Sequence, residues 1–579
     1  MKNRNLLILI VVFFSIIAKV NGQQWGLYTL YATKNGSVAY LCDTNGTNYK
    51  TWTFSSTKKT AYSTYLIPGD TIVRTYKPAA NTTWNTGPCH GAIQKVAWDG
   101  TVVWDWTYYQ AGTYCPHHDI CPLPNGNVLM ICYDAKTSTE AVQAGLSSNA
   151  AIYSEKIIEV KPTGATTGTI VWEWKLWDHL CQNFDAAKSN YVTSIVNNPQ
   201  LMNINYAGTG TLPDRYHMNG IDYNESLDQI VVSMHFMNSA FIIDHSTTTA
   251  EASSHTGGNS GKGGDFLYRW GNPASYGATG STIFNVIHDA HWISSDNPNF
   301  PNYLCGFNNN NATMPASQFS KVDIWNPPYD GYNYTITPGL AYTPSTYDYE
   351  FVSAFKSTNE GNSQQLPNGN MLVNNSFGSV YEVNASGTQL WTKATNSSHA
   401  YRYTKCYVRG PQVTAGSSLT TVTAGTPITL SSNATSVTET SPSYTYSWSS
   451  IPAGFTSSSQ NPTDAPTMTT TYLVTITDNT VGCSDTASVT VNVGVGINEE
   501  INSANLVLYP NPTTGIINIS DVNSVGDFEL NVFNAYGKLV LNLKNSKTVD
   551  LSNFSNGIYY LSIQIENERA INKKIILIK

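Results

Sequence analysis

The sequence is poor in charge, and only 12% of its 579 residues are Asp, Glu, Lys or Arg. The formal net charge is −8, and no run of basic residues occurs beyond the N-terminus. Binding to the phosphates of nucleic acid requires clustered Lys and Arg, so we expect no nucleic-acid partner. After residue 22 the sequence also lacks an apolar run long enough for a transmembrane helix, and we expect no membrane span in the mature chain.

A nucleotide-phosphate site is missing as well. Such a site needs a strand, a glycine-rich loop and the N-terminus of a helix in direct succession. The glycine-rich run at 257–264 is the nearest approach, and its polar surroundings are typical of a surface loop. We therefore predict no nucleotide donor and no cofactor.

Cysteine is scarce, with 9 residues in the whole chain. In an exported protein some of them should form disulfides, and the odd number leaves at least one outside an intramolecular pair. Cys115 and Cys121 bracket a His-His-Asp motif and are candidates for a local disulfide. The same two cysteines with His117 and His118 could imitate a zinc site, but an oxidising compartment favours disulfides, and we predict no metal.

The first residues have the pattern of a secretory signal. Lys2 and Arg4 form a basic start, an apolar segment covers 6–18, and the small residues at 20–22 make a plausible cleavage site. The apolar segment is short for a membrane anchor. We predict a signal peptide over 1–22.

Aromatic residues are abundant, with 14 Trp and 36 Tyr, and a β-rich protein is expected. The sequence Leu-Pro-Asn-Gly-Asn occurs at 123–127 and again at 366–370, each time before a run of β-forming residues. Asn-Gly suits the positive φ angles of a type I′ hairpin turn. A hairpin repeated at this distance suggests a repeated sheet unit, as in a β-propeller.

A second repeated pattern is a strand, a polar turn with glycine, and a strand that carries Trp near its end. It occurs at 93–106, 156–174 and 380–391. Two such hairpins make a four-stranded blade, and the length of 23–410 suits about six blades. We predict a six-bladed β-propeller over 23–410; a series of β-sandwiches is the alternative.

The composition changes at residue 411, where Thr and Ser become dominant. Short predicted strands at 427–430, 444–448, 471–477 and 487–493 have the spacing of a small sandwich. This segment, 411–495, resembles the immunoglobulin-like or PKD-like modules of bacterial surface proteins. It contains no set of residues that suggests catalysis.

The last segment, 496–579, has the turn residues of another small β-sandwich. It opens with Tyr509-Pro510-Asn511-Pro512, continues with Gly-Ile-Tyr-Tyr at 557–560 and ends in a lysine-rich strand. These motifs resemble the C-terminal sorting domain of the type IX secretion system of Bacteroidetes. The resemblance implies the secretion machinery as a partner, and a mature protein that is secreted or attached to the outer-membrane surface.

All 11 histidines precede residue 411, and several stand in polar motifs beside predicted strands. The motifs are His118-Asp119, His217-Met-Asn219, Ser233-Met-His235 and His288-Asp289. In a propeller the first strand of each blade lines the central channel, so side chains at its start should converge. Buried imidazoles need hydrogen-bond partners, and a converging set of them indicates a functional site.

The order of these motifs resembles the bacterial arylsulfate sulfotransferase family over much of 98–391. The resemblance implies a six-bladed propeller that transfers a sulfuryl group between phenols without a nucleotide donor. By position, His288 matches the histidine that accepts the sulfuryl group, His118 matches a channel histidine, and His217 and Asn219 match a His-x-Asn motif. The family has an arginine where this sequence has His235. A guanidinium is always charged, whereas a histidine is cationic only when its pKa permits.

The residue types suit this chemistry. A sulfuryl group in transfer carries negative charge on its peripheral oxygens, which His217, Asn219 and His235 could stabilise. A neutral ring nitrogen of His288 could act as nucleophile, and His118 could protonate the departing phenolate. We predict an aryl-sulfate sulfotransferase. A non-catalytic surface propeller that binds glycan or protein, and a sulfate-ester hydrolase, are the alternatives.

Overall fold

The structure is a computed structural model, and it describes residues 26–68, 70–82, 84, 89–310, 319–337, 339–376, 378–436, 441–494, 507–520, 527–565 and 570–579. The predicted signal peptide, 1–22, lies outside the described residues. So does the predicted boundary between 495 and 496.

Residues 28–403 form six four-stranded antiparallel sheets. Sheet 1 combines three N-terminal strands with one strand from the end of this region: β1 (Tyr28–Ala32), β2 (Val38–Cys42), β3 (Asn48–Thr53) and β28 (Ala400–Tyr403). Sheet 2 contains β4 (Thr60–Ile67), β5 (Thr71–Tyr76), β6 (Ala92–Val96) and β7 (Val102–Thr107). Sheet 3 contains β8 (Tyr114–Pro122), β9 (Val128–Lys136), β10 (Ile152–Gly164) and β11 (Thr167–Lys175).

The next three sheets repeat the same meander. Sheet 4 contains β14 (Met218–Asn224), β15 (Gln229–Met234), β16 (Ser239–Asp244) and β17 (Tyr268–Trp270). Sheet 5 contains β18 (Ile287–Trp292), β19 (Leu304–Asn308), β20 (Lys321–Trp325) and β23 (Tyr349–Val352). Sheet 6 contains β24 (Asn362–Gln365), β25 (Met371–Asn374), β26 (Ser379–Val383) and β27 (Gln389–Ala394). Two short pairs lie between the sheets: β12 (Leu180–Cys181) with β13 (Met202–Asn203), and β21 (Tyr329–Asp330) with β22 (Asn333–Tyr334).

The six sheets are arranged in a closed, propeller-like ring. Strands β4, β8, β14, β18 and β24 contact one another in that order, β4 also contacts β1, and β24 contacts β28. Because β1 and β28 pair in sheet 1, the two ends of the region are hydrogen-bonded to each other. Because of this pairing, the ring is closed between its first and last strands. The predicted all-β class is confirmed.

Both repeated sequence patterns have defined places in the sheets. The two Leu-Pro-Asn-Gly-Asn turns join β8 to β9 and β24 to β25. In each, the Leu and second Asn close the hairpin by a backbone hydrogen bond. Only the glycines are left-handed, with φ of +84° at Gly126 and +82° at Gly369, so the predicted type I′ geometry is wrong, since it requires positive φ at both central residues.

The Trp-ending hairpins form the outer half of sheets 2, 3 and 6. Trp104 and Trp174 are buried, and their indole N–H groups donate to the carbonyls of Thr167 and Gly264 at 3.0 and 2.7 Å. Each acceptor lies beyond the tryptophan's own sheet. The tryptophans therefore fill the space between neighbouring sheets and also link them.

The cysteine pairing differs from the expectation. Cys115 and Cys121 are not bonded to each other. Both lie in β8, where a register shift lies between Pro116 and Ile120, and their side chains face different surroundings. The disulfide within the described residues joins Cys406 to Cys483. It connects the end of the ring to the following region.

Residues 412–494 form two facing sheets, as expected for a sandwich. One contains β29 (Gln412–Ser417), β31 (Ile428–Thr435) and β34 (Thr463–Asp464). The other contains β30 (Thr421–Thr423), β32 (Tyr444–Ile451), β33 (Thr456–Ser457), β35 (Thr470–Asp478) and β36 (Cys483–Gly494). Trp448 is buried in the core between them.

The C-terminal region also has two sheets. The first contains β37 (Leu508–Tyr509), β38 (Ile516–Ile519) and β41 (Thr548–Asp550). The second contains β39 (Phe528–Asn534), β40 (Leu539–Lys544), β42 (Gly557–Ile565) and β43 (Ile571–Leu577). The α-helices are α1 (Ser138–Gln143), α2 (Thr249–Ala252) and α3 (Lys405–Arg409), and no helix of the described chain is long and apolar enough to cross a membrane.

Candidate active site

The four predicted histidines converge on one cavity. Between ring centres, His118 lies 4.6 Å from His217, His217 lies 5.2 Å from His235, and His235 lies 5.4 Å from His288. The distance from His288 back to His118 is 6.4 Å, which completes a cluster. All four line a cavity of about 830 Å³ that opens to solvent.

Backbone irregularities direct these side chains into the cavity. His118 and His217 have left-handed φ angles of +49° and +55°, as does Asp289 beside His288, at +53°. Register shifts accompany them in β8, in β14 and in β18. A bulge at the start of an inner strand re-aims one side chain and sends its neighbour elsewhere, which is a common device beside active sites.

The tautomer of His288 is fixed by Asn309. The Asn309 amide nitrogen donates to the carbonyls of Ser357 and Glu360 at 2.9 and 2.8 Å, so its oxygen faces His288 Nδ1, 2.6 Å away. Nδ1 must therefore carry the proton, and Nε2 accepts from the Glu360 backbone N–H at 3.2 Å. Burial lowers the pKa of His288 to about 3, which keeps the ring neutral with its lone pair on Nε2.

His118 is the end of a buried hydrogen-bonded chain. Its Nδ1 lies 2.8 Å from His117 Nδ1, and His117 Nε2 lies 2.9 Å from Glu155 Oε2. All three side chains are buried. Burial raises the pKa of Glu155 well above its usual value and lowers the pKa of both histidines well below theirs. Glu155 is therefore protonated and both rings are neutral, so Glu155 donates to His117 Nε2 and His117 Nδ1 donates to His118 Nδ1.

His217 and His235 are held differently. His217 Nδ1 is 2.6 Å from Asp214 Oδ2, which also accepts from the Tyr133 hydroxyl at 3.0 Å. His235 Nδ1 is buried without a hydrogen-bond partner among the described residues. Burial, together with His288 and His217, lowers the pKa of His235 well below its usual value. His235 is therefore neutral and offers one unfilled ring nitrogen.

Asn219 occupies a different place from the histidines. Its amide nitrogen donates to the Ile287 carbonyl at 2.7 Å, and its oxygen accepts from the Ser233 hydroxyl at 2.7 Å. It is fully buried and is absent from the cavity lining. Asn219 therefore ties β14 to the start of β18, next to His288, rather than facing a ligand.

Several cavity residues had no signal in the sequence. Tyr62 is buried edge-on to His118 and His399, with ring distances of 4.9 Å to each, and its hydroxyl has no partner among the described residues. Burial raises the pKa of Tyr62 well above its usual value, so it remains a hydrogen-bond donor. His399, which packs against Tyr62 but is not part of the cavity lining, is buried as well. Tyr62 lies in β4 and His399 directly precedes β28, and neither stands in a recognisable motif.

Three lysines line the cavity. Lys34, Lys59 and Lys77 all reach its lining. Lys34 Nζ lies 2.6 Å from Glu360 Oε1, and Lys77 donates to the Trp84 carbonyl at 2.9 Å. No arginine lines the cavity among the described residues. Positive charge is therefore available to an anionic ligand, but from flexible ammonium groups rather than from a planar guanidinium.

Comparison with protein families identifies two regions of the chain. The model of the arylsulfotransferase (ASST) family matches residues 23–402. The chain belongs to the arylsulfotransferase family. The model of the secretion system C-terminal sorting domain matches residues 507–579, and indicates export to the cell surface or beyond. Both predicted resemblances are confirmed, and the family match supports a transferase-type activity on small molecules.

Comparisons with individual proteins add little. No curated protein sequence matches the chain. Among solved structures, the periplasmic gluconolactonase PpgL of Pseudomonas aeruginosa is 12% identical, with a TM-score of 0.33, over 64% of this chain and 96% of its own. BamB from Moraxella catarrhalis is 11% identical, with a TM-score of 0.26, over 64% of this chain and 74% of its own. Scores of this size say nothing about function.

Proposed function

We propose that this arylsulfotransferase-family chain transfers a sulfuryl group from an aryl sulfate to a phenol through a covalent intermediate on His288. The observation that carries the proposal is the protonation pattern of His288. Its Nδ1 proton is committed to Asn309, so the lone pair lies on Nε2 in a cavity lined by three further histidines. A neutral imidazole nitrogen of this kind is a competent nucleophile at neutral pH.

In the first half-reaction, His288 Nε2 gives up the hydrogen bond from the Glu360 N–H and attacks sulfur, so that the N–S bond forms and the S–O bond to the phenol breaks. The departing phenolate takes a proton from His118 Nε2. His118 Nδ1 then receives the proton of His117 Nδ1, and His117 Nε2 receives that of Glu155. The raised pKa of Glu155 supports a protonated start for this sequence.

The second half-reaction reverses the same steps. His118 now carries its proton on Nδ1, and its Nε2 lone pair removes the proton of the acceptor phenol. The phenol oxygen attacks sulfur, the N–S bond breaks, and Glu155 regains its proton through His117. One relay thus serves as acid and then as base, as a double displacement requires.

Three groups are placed to stabilise the sulfuryl oxygens in the transition state. The Tyr62 hydroxyl and His235 Nδ1 are buried and have no other partner among the described residues. Lys34 adds an ammonium group at the cavity, where it is paired with Glu360. Donors that are already oriented towards developing charge are worth more in a buried site than in water. Asn219 contributes by holding β14 against β18 beside His288.

We further propose that the six sheets are the six blades of the ring over 23–410. The region 411–495 is then an immunoglobulin-like spacer or binding module, and 496–579 is the type IX sorting domain. An N-terminal signal peptide over 1–22 would bring the chain to that secretion system. The mature protein would be secreted or attached to the outer-membrane surface.

One observation favours a second function, a binding protein without turnover. His235 occupies the place of the family arginine, and its lowered pKa leaves it uncharged. A cavity without a fixed guanidinium could bind a glycan or protein segment and catalyse nothing. A hydrolase that uses water as acceptor is the remaining possibility.

The test is release of 4-nitrophenol from 4-nitrophenyl sulfate by the purified mature protein, with and without a phenol acceptor. The variants are His288→Ala and, as a matched control far from the cavity, Asp228→Asn. Release that depends on the acceptor and is lost only in His288→Ala supports the transferase. Continued release without acceptor, beyond the single equivalent of a burst, indicates a hydrolase, and no release by the folded wild type indicates a binding protein.

A further inference from the structure

A second cluster of ligating side chains lies outside the cavity, where β11 gives way to the next sheet. It consists of His179, His255 and Asp265, whose ligand atoms all lie within 4.8 Å of one another. It is the one group of three or more such side chains with this geometry in the part of the chain that the structure describes. His255 and Asp265 flank the glycine-rich run at 257–264.

The hydrogen bonds of His179 leave one ring nitrogen facing an acceptor. Its Nε2 is 2.8 Å from the Ala252 carbonyl oxygen, which can only accept, so Nε2 carries a proton. In the neutral ring the lone pair is then on Nδ1, which lies 2.9 Å from Asp265 Oδ1. A lone pair facing a carboxylate oxygen requires a cation between them, either a proton or a metal ion.

The second histidine converges on the same oxygen. His255 Nδ1 lies 2.7 Å from Asp265 Oδ1. The side chain of His255 is 59% exposed, whereas His179 is fully buried and the Asp265 side chain is 8% exposed. An ion could therefore enter from solvent on the His255 side and keep a water molecule as its fourth ligand.

The surroundings hold the buried ligand in one orientation. The Trp174 ring is stacked parallel to His179, with 5.7 Å between centres, and its indole N–H donates to the Gly264 carbonyl. A Cβ on Gly264 would lie 2.5 Å from His179 Nε2, so only glycine allows the run to pass this close. A ring N–H bonded to a carbonyl behind a free nitrogen is the usual outer-sphere arrangement of a metal-binding histidine.

We propose that His179 Nδ1, His255 Nδ1 and Asp265 Oδ1 bind a divalent transition-metal ion, with Zn²⁺ as the best fit. Two imidazole nitrogens and one carboxylate oxygen are a usual Zn²⁺ ligand set. A tetrahedral site with bonds of about 2.0 Å places its ligand atoms about 3.3 Å apart, which is longer than the 2.9 and 2.7 Å between the two histidine nitrogens and Asp265 Oδ1 and within the 4.8 Å that bounds all three ligand atoms. The ion would take the place of a proton between the ligands and would attach the glycine-rich run, which lies between β16 and β17 of sheet 4, to the segment that follows β11 of sheet 3.

The experiment is titration of the untagged, metal-free mature chain with Zn²⁺ by calorimetry and with Co²⁺ by visible absorption. Visible absorption that grows with added Co²⁺ is expected from a four-coordinate site with nitrogen and oxygen ligands. The variants are His255→Ala and Asp265→Asn. The control is Asp228→Asn, since Asp228 holds His245 Nδ1 at the same 2.7 Å without a third ligand.

One equivalent of metal per chain, lost in both variants and kept in the control, supports the site. No binding at millimolar metal overturns it. Binding that persists in His255→Ala and Asp265→Asn also overturns it, because the ion would then occupy the histidine cluster of the cavity. If Asp265→Asn fails to fold, His255→Ala decides the question, since this exposed residue is not needed for packing. None of these outcomes depends on sulfuryl transfer.

Discussion

The inner strands carry two cavities of opposite chemistry. The histidine cavity is lined by His118, His217, His235 and His288. The aspartate cavity, of about 470 Å³, is lined by the next residues of the same strands, among them Asp119, Asp222, Asp289 and His291. Neighbouring residues such as His118 and Asp119 therefore face different cavities, as the alternation of side chains along a strand requires.

The buried titratable side chains of the two cavities differ in protonation and in hydrogen bonding. Burial holds the histidines neutral by lowering the pKa of His118, His235 and His288. On the other side, Asp119 accepts hydrogen bonds from Ser63, Tyr65 and the Ile120 backbone. Neutral rings with unfilled nitrogens suit group transfer, whereas carboxylates surrounded by donors suit fixed structure. Under the proposed function, the first cavity carries the reaction and the second supports the inner strands.

The largest difference is expected between single substitutions of two neighbouring residues, His288 and Asp289. His288→Asn should lower turnover of 4-nitrophenyl sulfate by about 10⁴-fold or more, because the nucleophile is removed. Asp289→Asn should lower it by less than about tenfold, since the amide oxygen can still accept from the Ser363 N–H. Equal losses in the two variants, measured as kcat/KM on folded protein, would remove the functional distinction between the cavities.

The proton relay gives the next largest effect. Glu155→Gln should lower kcat/KM by about 10³-fold for phenyl sulfate, because a glutamine cannot release a proton to His117. The loss should be smaller for 4-nitrophenyl sulfate, whose leaving group needs less protonation. The matched control is Glu159→Gln in the same strand, where the carboxylate bonds to Asn125 and Asn127 outside the cavity. A loss independent of the leaving group would contradict the relay.

The pH dependence of the first half-reaction follows from His288. Its pKa of about 3 places the neutral, nucleophilic form at full occupancy throughout the range from pH 5 to 8. Formation of the sulfuryl-enzyme, followed as a burst of 4-nitrophenol, should therefore not fall between pH 7 and pH 5 through protonation of this residue. A loss of the burst with a midpoint near pH 6.5, without a matching change in the stability of the fold over the same pH range, would show that His288 has an ordinary pKa.

A smaller effect is expected at Tyr62. Tyr62→Phe removes one donor to the sulfuryl oxygens and should lower kcat by about ten- to a hundredfold, with little change in KM. Tyr65→Phe is the control, because the Tyr65 hydroxyl serves Asp119 on the side of the aspartate cavity. The proposal for Tyr62 fails if both variants behave alike in steady-state kinetics.

The smallest effect concerns stability. Burial raises the pKa of Asp222 to about 6, while in the unfolded chain it is about 4. Between these values the folded state keeps a proton that the unfolded state has lost, so the free energy of unfolding should fall as pH rises from 4 to 6. Asp222→Asn should remove this part of the pH dependence. Urea unfolding of both proteins at pH 4, 5, 6 and 7 measures it.

Much of the fold could be predicted because its signals are local. Each Leu-Pro-Asn-Gly-Asn turn and each Trp-ending pattern lies within one pair of adjacent strands. A few adjacent residues are enough to encode each of them. His118, His217, His235 and His288 were predicted for the same reason, since each stands in a short polar motif. The disulfide was not, because Cys406 and Cys483 are 77 residues apart and nothing local connects them.

The remaining site residues depend on which strands become neighbours. Glu155, Asn309 and Tyr62 come from separate sheets and stand in no motif, yet they set the protonation of His117, the tautomer of His288 and a donor in the cavity. The same holds for the proposed metal site, whose ligands at 179, 255 and 265 follow no metal-binding spacing.

The sequence by itself determined the all-β class, the family, the sorting domain and the histidines of the site, because strand periodicity, turn chemistry and short motifs are encoded within a few residues. Only the tertiary structure decided which nitrogen of each histidine carries a proton, which cysteines pair and which residues face each cavity. Those properties depend on burial and on hydrogen bonds between residues distant in sequence, and both arise only when the ring closes.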